Sequence, residues 1–203
     1  KSAASQSPAF SVECASLFSP DLIFLQQKFS DKETLLKFAT TWLEEKGYCS
    51  SGLYQSALNR EKLTSTSIGG SVAFPHGDPE FVNESHVALM TLAEPMLWDG
   101  EEKVDVVFFA AFNMNSREER HRIETFYKEL IPCMADGRFM KLLRSSRDSI
   151  SLYKELFRWG CGSASGRICR FIRSWQQHPT EIGCCFFYCG RKAGSGDCCT
   201  VSG

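Results

Sequence analysis

Between Ser67 and Pro79 the chain reads "SIGGSVAFPHGDP", and the residue in it that could do chemistry is His76. An imidazole changes charge near neutral pH and offers a nitrogen lone pair to a proton, a metal or an electrophile. Pro75 restricts the backbone before it and Gly77 lets another backbone approach closely behind it. The P-H-G corner therefore displays the ring at the end of a short apolar run that closes at Phe74. Three uses fit such a corner: a turn residue, a metal ligand, or a displayed nucleophile. A metal would need three or four convergent ligands, and Asp78, Glu80 and His86 lie at spacings that match no familiar zinc pattern. No metal is expected here. Neither a G-x-S-x-G elbow for a serine hydrolase nor a G-x-x-x-x-G-K-[ST] nucleotide cradle occurs, so Ser67 and Ser71 read as ordinary turn or strand serines.

Several elements must position that corner. Ser30 and Glu33 read as a capping box, after which Leu35, Leu36, Ala39, Trp42 and Leu43 recur on one helical face until Gly47. A second helix is expected from about Gly52 to Glu61 with Leu53, Tyr54, Ala57 and Leu58 inward. It leaves Arg60 and Glu61 near its end, their heads toward solvent or a site. Strand-like stretches follow at Ser71 to Phe74, Val87 to Leu92 and Val104 to Phe112. The last is apolar throughout, as a central strand covered on both faces would be. Ser116 and Glu119 form a second capping box opening a helix with Ile123, Phe126, Tyr127, Leu130 and Ile131 inward, which Pro132 should kink or end. Asp136-Gly137 reads as a turn, and amphipathic pieces at Phe139 to Leu143 and Ile150 to Phe157 complete the body. Helices, strands and helices in that order predict an α/β fold, a mixed sheet sandwiched by helices.

The whole chain sets further bounds. Its 23 basic and 24 acidic residues nearly cancel, so no overall field gathers nucleic acid or an anionic membrane, and neither is an expected partner. No apolar run approaches the roughly 20 residues of a membrane span, and the start "KSAASQSPAF" lacks the apolar core of a signal peptide. A cytoplasmic protein is expected. Residues 1–16 are small and polar like a linker, and a start at Lys1 suits a fragment of a longer chain. Of ten cysteines only Cys14, Cys49 and Cys133 precede residue 160. The other seven fall in a tail, 158–203, where apolar periodicity stops. His178, Cys184, Cys189 and Cys198 could be metal ligands there, but no paired C-x-x-C knuckle occurs. The tail reads as an addition foreign to the domain of residues 17–157.

Residues 17–112 carry a family resemblance in "LFSPDLIF", "EEKGYC", "LNREKLTSTSIGGSVAFPHGDPEFVNESHVAL" and "EPMLWDGEEKVDVVFFAAF". This resembles the enzyme IIA domain of the fructose-mannitol class of the bacterial sugar phosphotransferase system, and the likeness continues to about Leu156. In that family R-E-x-x-x-x-T-x-[IV]-G-x-x-[IV]-A-[IV]-P-H-G carries the phosphorylated histidine. Arg60, Glu61, Thr66, Ile68, Gly69, Val72, Ala73, Pro75, His76 and Gly77 fill the pattern, with Phe74 where a smaller aliphatic is usual. The resemblance implies a phosphohistidine at His76, formed without nucleotide, metal or other cofactor. Arg60 then becomes the natural donor to the phosphoryl oxygens, with Thr66 and nearby backbone N–H groups beside it. The family often has another histidine on the helix after the long central strand, which makes His121 in "EERHRIETF" a candidate to line the site; its charged neighbours Arg120 and Arg122 suit an exposed face equally. His86 is expected to face away or pair locally. Trp98 and the "PHGDPEFV" wording are most similar to modules fused at the C-terminus of BglG-type transcriptional activators and antiterminators. That version implies the phosphocarrier HPr as donor and fused regulatory domains as partners. The alternatives are a transport component that hands phosphate to a cysteine of a IIB domain, and a noncatalytic interaction module.

Overall fold

The computed structural model describes residues 10–158. Strands β1 (Ile23–Gln27), β2 (Ser67–Gly69), β3 (Val72–Ala73), β4 (His86–Asp99) and β5 (Glu102–Ala111) form one five-stranded sheet in the order β1-β4-β5-β3-β2. The sheet is mixed: β1 with β4 and β3 with β5 run parallel, whereas β4 with β5 and β2 with β3 run antiparallel. The apolar stretch around Val104 becomes β5, the middle strand, buried from Val106 to Ala111. Alternate side chains of a strand face opposite ways. Val107, Phe109 and Ala111 join Ala88 and Met90 of β4 in a core with Leu35, Leu36, Ala39 and Leu43 of α2 (Lys32–Glu45) and Leu53 and Ala57 of α3 (Gly52–Leu63). On the other face Phe108 stacks on Phe74 with ring centroids 4.9 Å apart, and Phe74 meets Tyr127 of α4 (Arg117–Met134). Two further helices follow, α5 (Gly137–Ser145) and α6 (Ser149–Arg158), and a single turn, α1 (Val12–Ala15), precedes β1. The sheet is thus sandwiched by helices as its sequence predicts.

Local chemistry accounts for the differences from the sequence reading. The cap of α2 is Asp31, whose Oδ1 accepts from Thr34 N at 2.7 Å, while Ser30 Oγ donates to Asp31. Ser116 does cap α4 by accepting from Glu119 N at 3.0 Å, but the Glu119 carboxylate turns to Ser85 and Arg122, so only half of the expected box forms. Pro132 neither ends nor breaks α4, which runs on to Met134. In the last turn its missing N–H leaves a single carbonyl without an intrahelical donor. Asp136 caps α5, accepting from Arg138 N at 2.8 Å, instead of only turning the chain. Strand β4 continues past Leu92 through Pro95, because the register shifts between Thr91 and Met96 and residues 93–95 are exposed, where a proline costs little. Strands β1 and β2 were not foreseen. Within the segment that reads as linker, Phe10 and Cys14 are buried, Phe10 packs on Phe18 and Phe139, and Ser11 N donates to Glu129 Oε2 at 2.9 Å. The Cys-rich tail lies outside the described residues from 159 onward.

Candidate functional site

Strand β3 is two residues long, yet its direction is kept beyond Phe74. Ala110 N of β5 donates to Pro75 O at 2.9 Å, and His76 lies beside Ala110 in a parallel bridge. The ring is thereby delivered to the carboxyl end of the parallel pair β3 and β5, where sheet proteins commonly build sites. Behind it the chain is pressed on α3. A Cβ on Gly77 would lie 2.7 Å from Leu53 Cδ1 and 3.1 Å from the backbone of both Leu53 and Ala57, so any side chain there would press on α3. One residue on, Ser56 Oγ donates to Asp78 Oδ2 and accepts from Asp78 N, each at 2.7 Å. The corner from Pro75 to Asp78 is clamped between β5 and α3.

The His76 ring is half-buried, and its Nδ1 lies 3.1 Å from Phe74 O. A carbonyl oxygen can only accept, so Nδ1 carries the proton and Nε2 keeps the lone pair. Burial pushes the pKa down to about 4, helped by the Arg60 charge and opposed by the Phe74 hydrogen bond and Asp78. At neutral pH the ring is uncharged, with its proton on Nδ1. Arg60, in the last turn of α3, donates from one terminal nitrogen to Thr64 O at 2.9 Å. Its Nε is buried and bonded to nothing among the described residues. The guanidinium is close enough for His76 to feel its charge and retains donor capacity for an anion.

Thr66 is placed differently from a free phosphate donor: its hydroxyl donates to Glu61 Oε2 and its backbone N to Glu61 Oε1. His121 is exposed on the second turn of α4, and no bond from it to His76 occurs among the described residues. The Arg60 charge thus acts on His76, Thr66 is bonded to the Glu61 carboxylate, and the His121 side chain is exposed. His86 pairs locally as expected: it stacks on Tyr48 with centroids 3.7 Å apart, its Nε2 lies 3.2 Å from Glu84 Oε1, and burial lowers its pKa. The Ser56–Asp78 clamp has no local sequence signal. Asp78 was legible as a neighbour of the P-H-G corner, but its partner sits 22 residues earlier on a helix face. Among the described residues no three His, Cys, Asp or Glu side chains gather as a metal site, and no helix is long and apolar enough to cross a membrane.

Comparison with known proteins bears on this arrangement. Residues 16–158 match the family described as phosphoenolpyruvate-dependent sugar phosphotransferase system, EIIA 2. The transcriptional regulator ManR of Bacillus subtilis is 38% identical over 111 residues, which are 55% of this chain and 16% of ManR. The mannitol-specific phosphotransferase enzyme IIA component of Halalkalibacterium halodurans is 34% identical over 89 residues, 42% of this chain and 61% of that protein. The chain thus spans less than two thirds of either relative's length. Among solved structures, the crystal structure of IIA mannitol from Escherichia coli superposes with a TM-score of 0.53 at 27% identity, covering 66% of this chain and 97% of the other. The complex of enzyme IIA mannitol with phosphorylated enzyme IIB mannitol from Escherichia coli gives 0.57 at 28% identity, over 68% and 99%. With a helix-covered mixed sheet, a displayed P-H-G histidine and most of its length matched, the chain belongs to the EIIA 2 family of the phosphoenolpyruvate-dependent sugar phosphotransferase system.

Proposed function

We propose that His76 accepts a phosphoryl group on Nε2 from the phosphocarrier HPr, and that this charge tunes a sugar-responsive transcriptional regulator to which the domain belongs. The observation that carries the reading is the 3.1 Å contact of Nδ1 with Phe74 O, which commits Nδ1 as donor and leaves Nε2 as the nucleophile. In the step, the Nε2 lone pair forms a bond to phosphorus while the bond from phosphorus to the donor's leaving atom breaks. Catalysis then amounts to positioning and charge, and Arg60 supplies donors to the equatorial oxygens. The regulatory assignment is supported by the likeness to ManR, named as a transcriptional regulator. On this reading the domain works in the cytoplasm, beside fused regulatory domains.

The test gives the purified protein enzyme I, HPr and phosphoenolpyruvate and measures intact mass at neutral pH. One acid-labile phosphate is expected on the wild type and none on His76→Ala. Adding an isolated IIB domain tests the regulatory half: a phosphate that stays on the domain agrees with it, whereas rapid passage to a IIB cysteine identifies a transport component. Undiminished labelling of His76→Ala refutes the assignment of the acceptor.

A further inference from the structure

Glu61 follows Arg60 in the last turn of α3, and its carboxylate is almost wholly removed from solvent, with its side chain 1% exposed. A carboxylate so buried persists only when donors surround it. Here Oε1 accepts from Trp98 Nε1 at 2.8 Å and from Thr66 N at 3.3 Å, and lies 3.4 Å from Lys32 Nζ, while Oε2 accepts from Thr66 Oγ1. Lys32 also stands over the Trp98 ring, 5.9 Å from its centroid. The donors come from three places far apart in sequence: the first residue of α2, the approach to β2, and the outer end of β4.

Two lines lead from this carboxylate to the reacting groups. Along the helix Glu61 is bonded to Arg60 and anchors the turn that carries the guanidinium. Across the sheet, Thr66 O accepts from Phe74 N at 2.9 Å and Phe74 O accepts from His76 Nδ1 at 3.1 Å. A short run of hydrogen bonds, Glu61 to Thr66 to Phe74 to His76, therefore joins the base of Arg60 to the imidazole. We infer that Glu61 is a positioning residue for phosphoryl transfer, holding the Arg60 turn and the Phe74–His76 corner at one fixed separation. The inference rests on His76 being the acceptor. Glu61 acts without touching phosphate, and Thr66 acts through it.

Two substitutions test this. Glu61→Gln replaces one acceptor by an NH2 group that faces donors. Trp98→Phe removes only the indole N–H, at a position remote in sequence and on another element. Transfer from phosphorylated HPr is followed well below the melting temperature, with the ring nitrogens of His76 read by NMR in the same samples. Glu61→Gln should lower kcat about 10 to 100-fold with KM unchanged, on the order of what small misplacement of reacting groups costs. Trp98→Phe should move kcat the same way, about threefold or more, and both should shift the His76 nitrogen resonances. Where Glu61→Gln does not fold, Trp98→Phe decides. Wild-type kcat and unmoved His76 resonances in Trp98→Phe, and in Glu61→Gln where it folds, would reduce Glu61 to a structural group. Failure of the underlying reading looks different: the wild type itself would carry its phosphate elsewhere than on His76.

Discussion

A single proton on Nδ1 sets the chemistry of His76, because the carbonyl of Phe74 accepts it and burial keeps the ring neutral. With a folded pKa of about 4 against the ordinary 6.5, the unfolded chain binds a proton that the folded chain does not over that interval. Stability from this group is therefore complete above pH 6.5 and falls as pH drops toward 4. Urea midpoints measured from pH 7.5 to 4.5 should fall more steeply for the wild type than for His76→Ala; parallel curves would place the pKa near its ordinary value. Arg60 is argued at the same scale. Its guanidinium retains donor capacity beyond the single bond to Thr64 O, so Arg60→Ala should slow transfer about 10 to 1000-fold with the fold intact. Lysine should restore only part of the rate, since it lacks the planar fork. A rate for Arg60→Ala within about twofold of wild type would make Arg60 a solvated charge at a helix end. The corner at His76 and the helix end at Arg60 were legible in the sequence because a proline, a glycine and the end of an apolar face announce them, whereas the roles proposed for them rest on the family pattern. Thr66 was legible as a member of the pattern, but its hydrogen bond to the buried Glu61 carboxylate is one that no local spacing reveals.

At the scale of elements, the site exists because α3 and β5 grip one corner from two sides. Gly77 is where that grip is tightest, and Gly77→Ala should cost about 1 to 3 kcal/mol, as overpacking does. Its Cβ would have to displace Leu53 and the α3 backbone. Thermal unfolding checks the loss, and phosphoryl acceptance by the folded fraction should fall with it as His76 moves off Ala110. A variant as stable and as active as wild type would show that α3 does not hold the corner. Helices α2, α3 and α4 and strand β5 were legible because their apolar patterns are long and the helices are punctuated by Gly47 and Ser116. Strands β1 and β2 were not, being five and three residues with little pattern of their own. Their pairing is supplied by β4 and β3. The outer half of β4 was hidden by Pro95, whose cost vanishes at a bulged, exposed position.

At the scale of the molecule, the family match closes at residue 158, the last residue described in α6. The sheet described up to that point already has helices on both faces. Deleting residues from Gly160 onward should therefore leave phosphoryl acceptance unchanged and lower the melting temperature by less than about 5 °C, the shift that some 1 to 2 kcal/mol produces in a domain of this size. A larger loss, or zinc released by the deletion, would make the tail part of the fold. The overall class was legible from the order of helices and strands, whereas the run from Trp98 through Glu61 and Thr66 to His76 unites residues that only the folded sheet brings together. The chain holds four histidines, His76, His86, His121 and His178, and one experiment reads them all. In protein labelled with 15N-histidine, ring nitrogens are recorded before and after phosphorylation by enzyme I, HPr and phosphoenolpyruvate. Before phosphorylation His76 should show a protonated Nδ1 and an unprotonated Nε2. Afterward its Nε2 alone should show the shift of a phosphorylated nitrogen, with the other three rings not phosphorylated. Phosphate on Nδ1 of His76, or on His86, His121 or His178, would contradict the account.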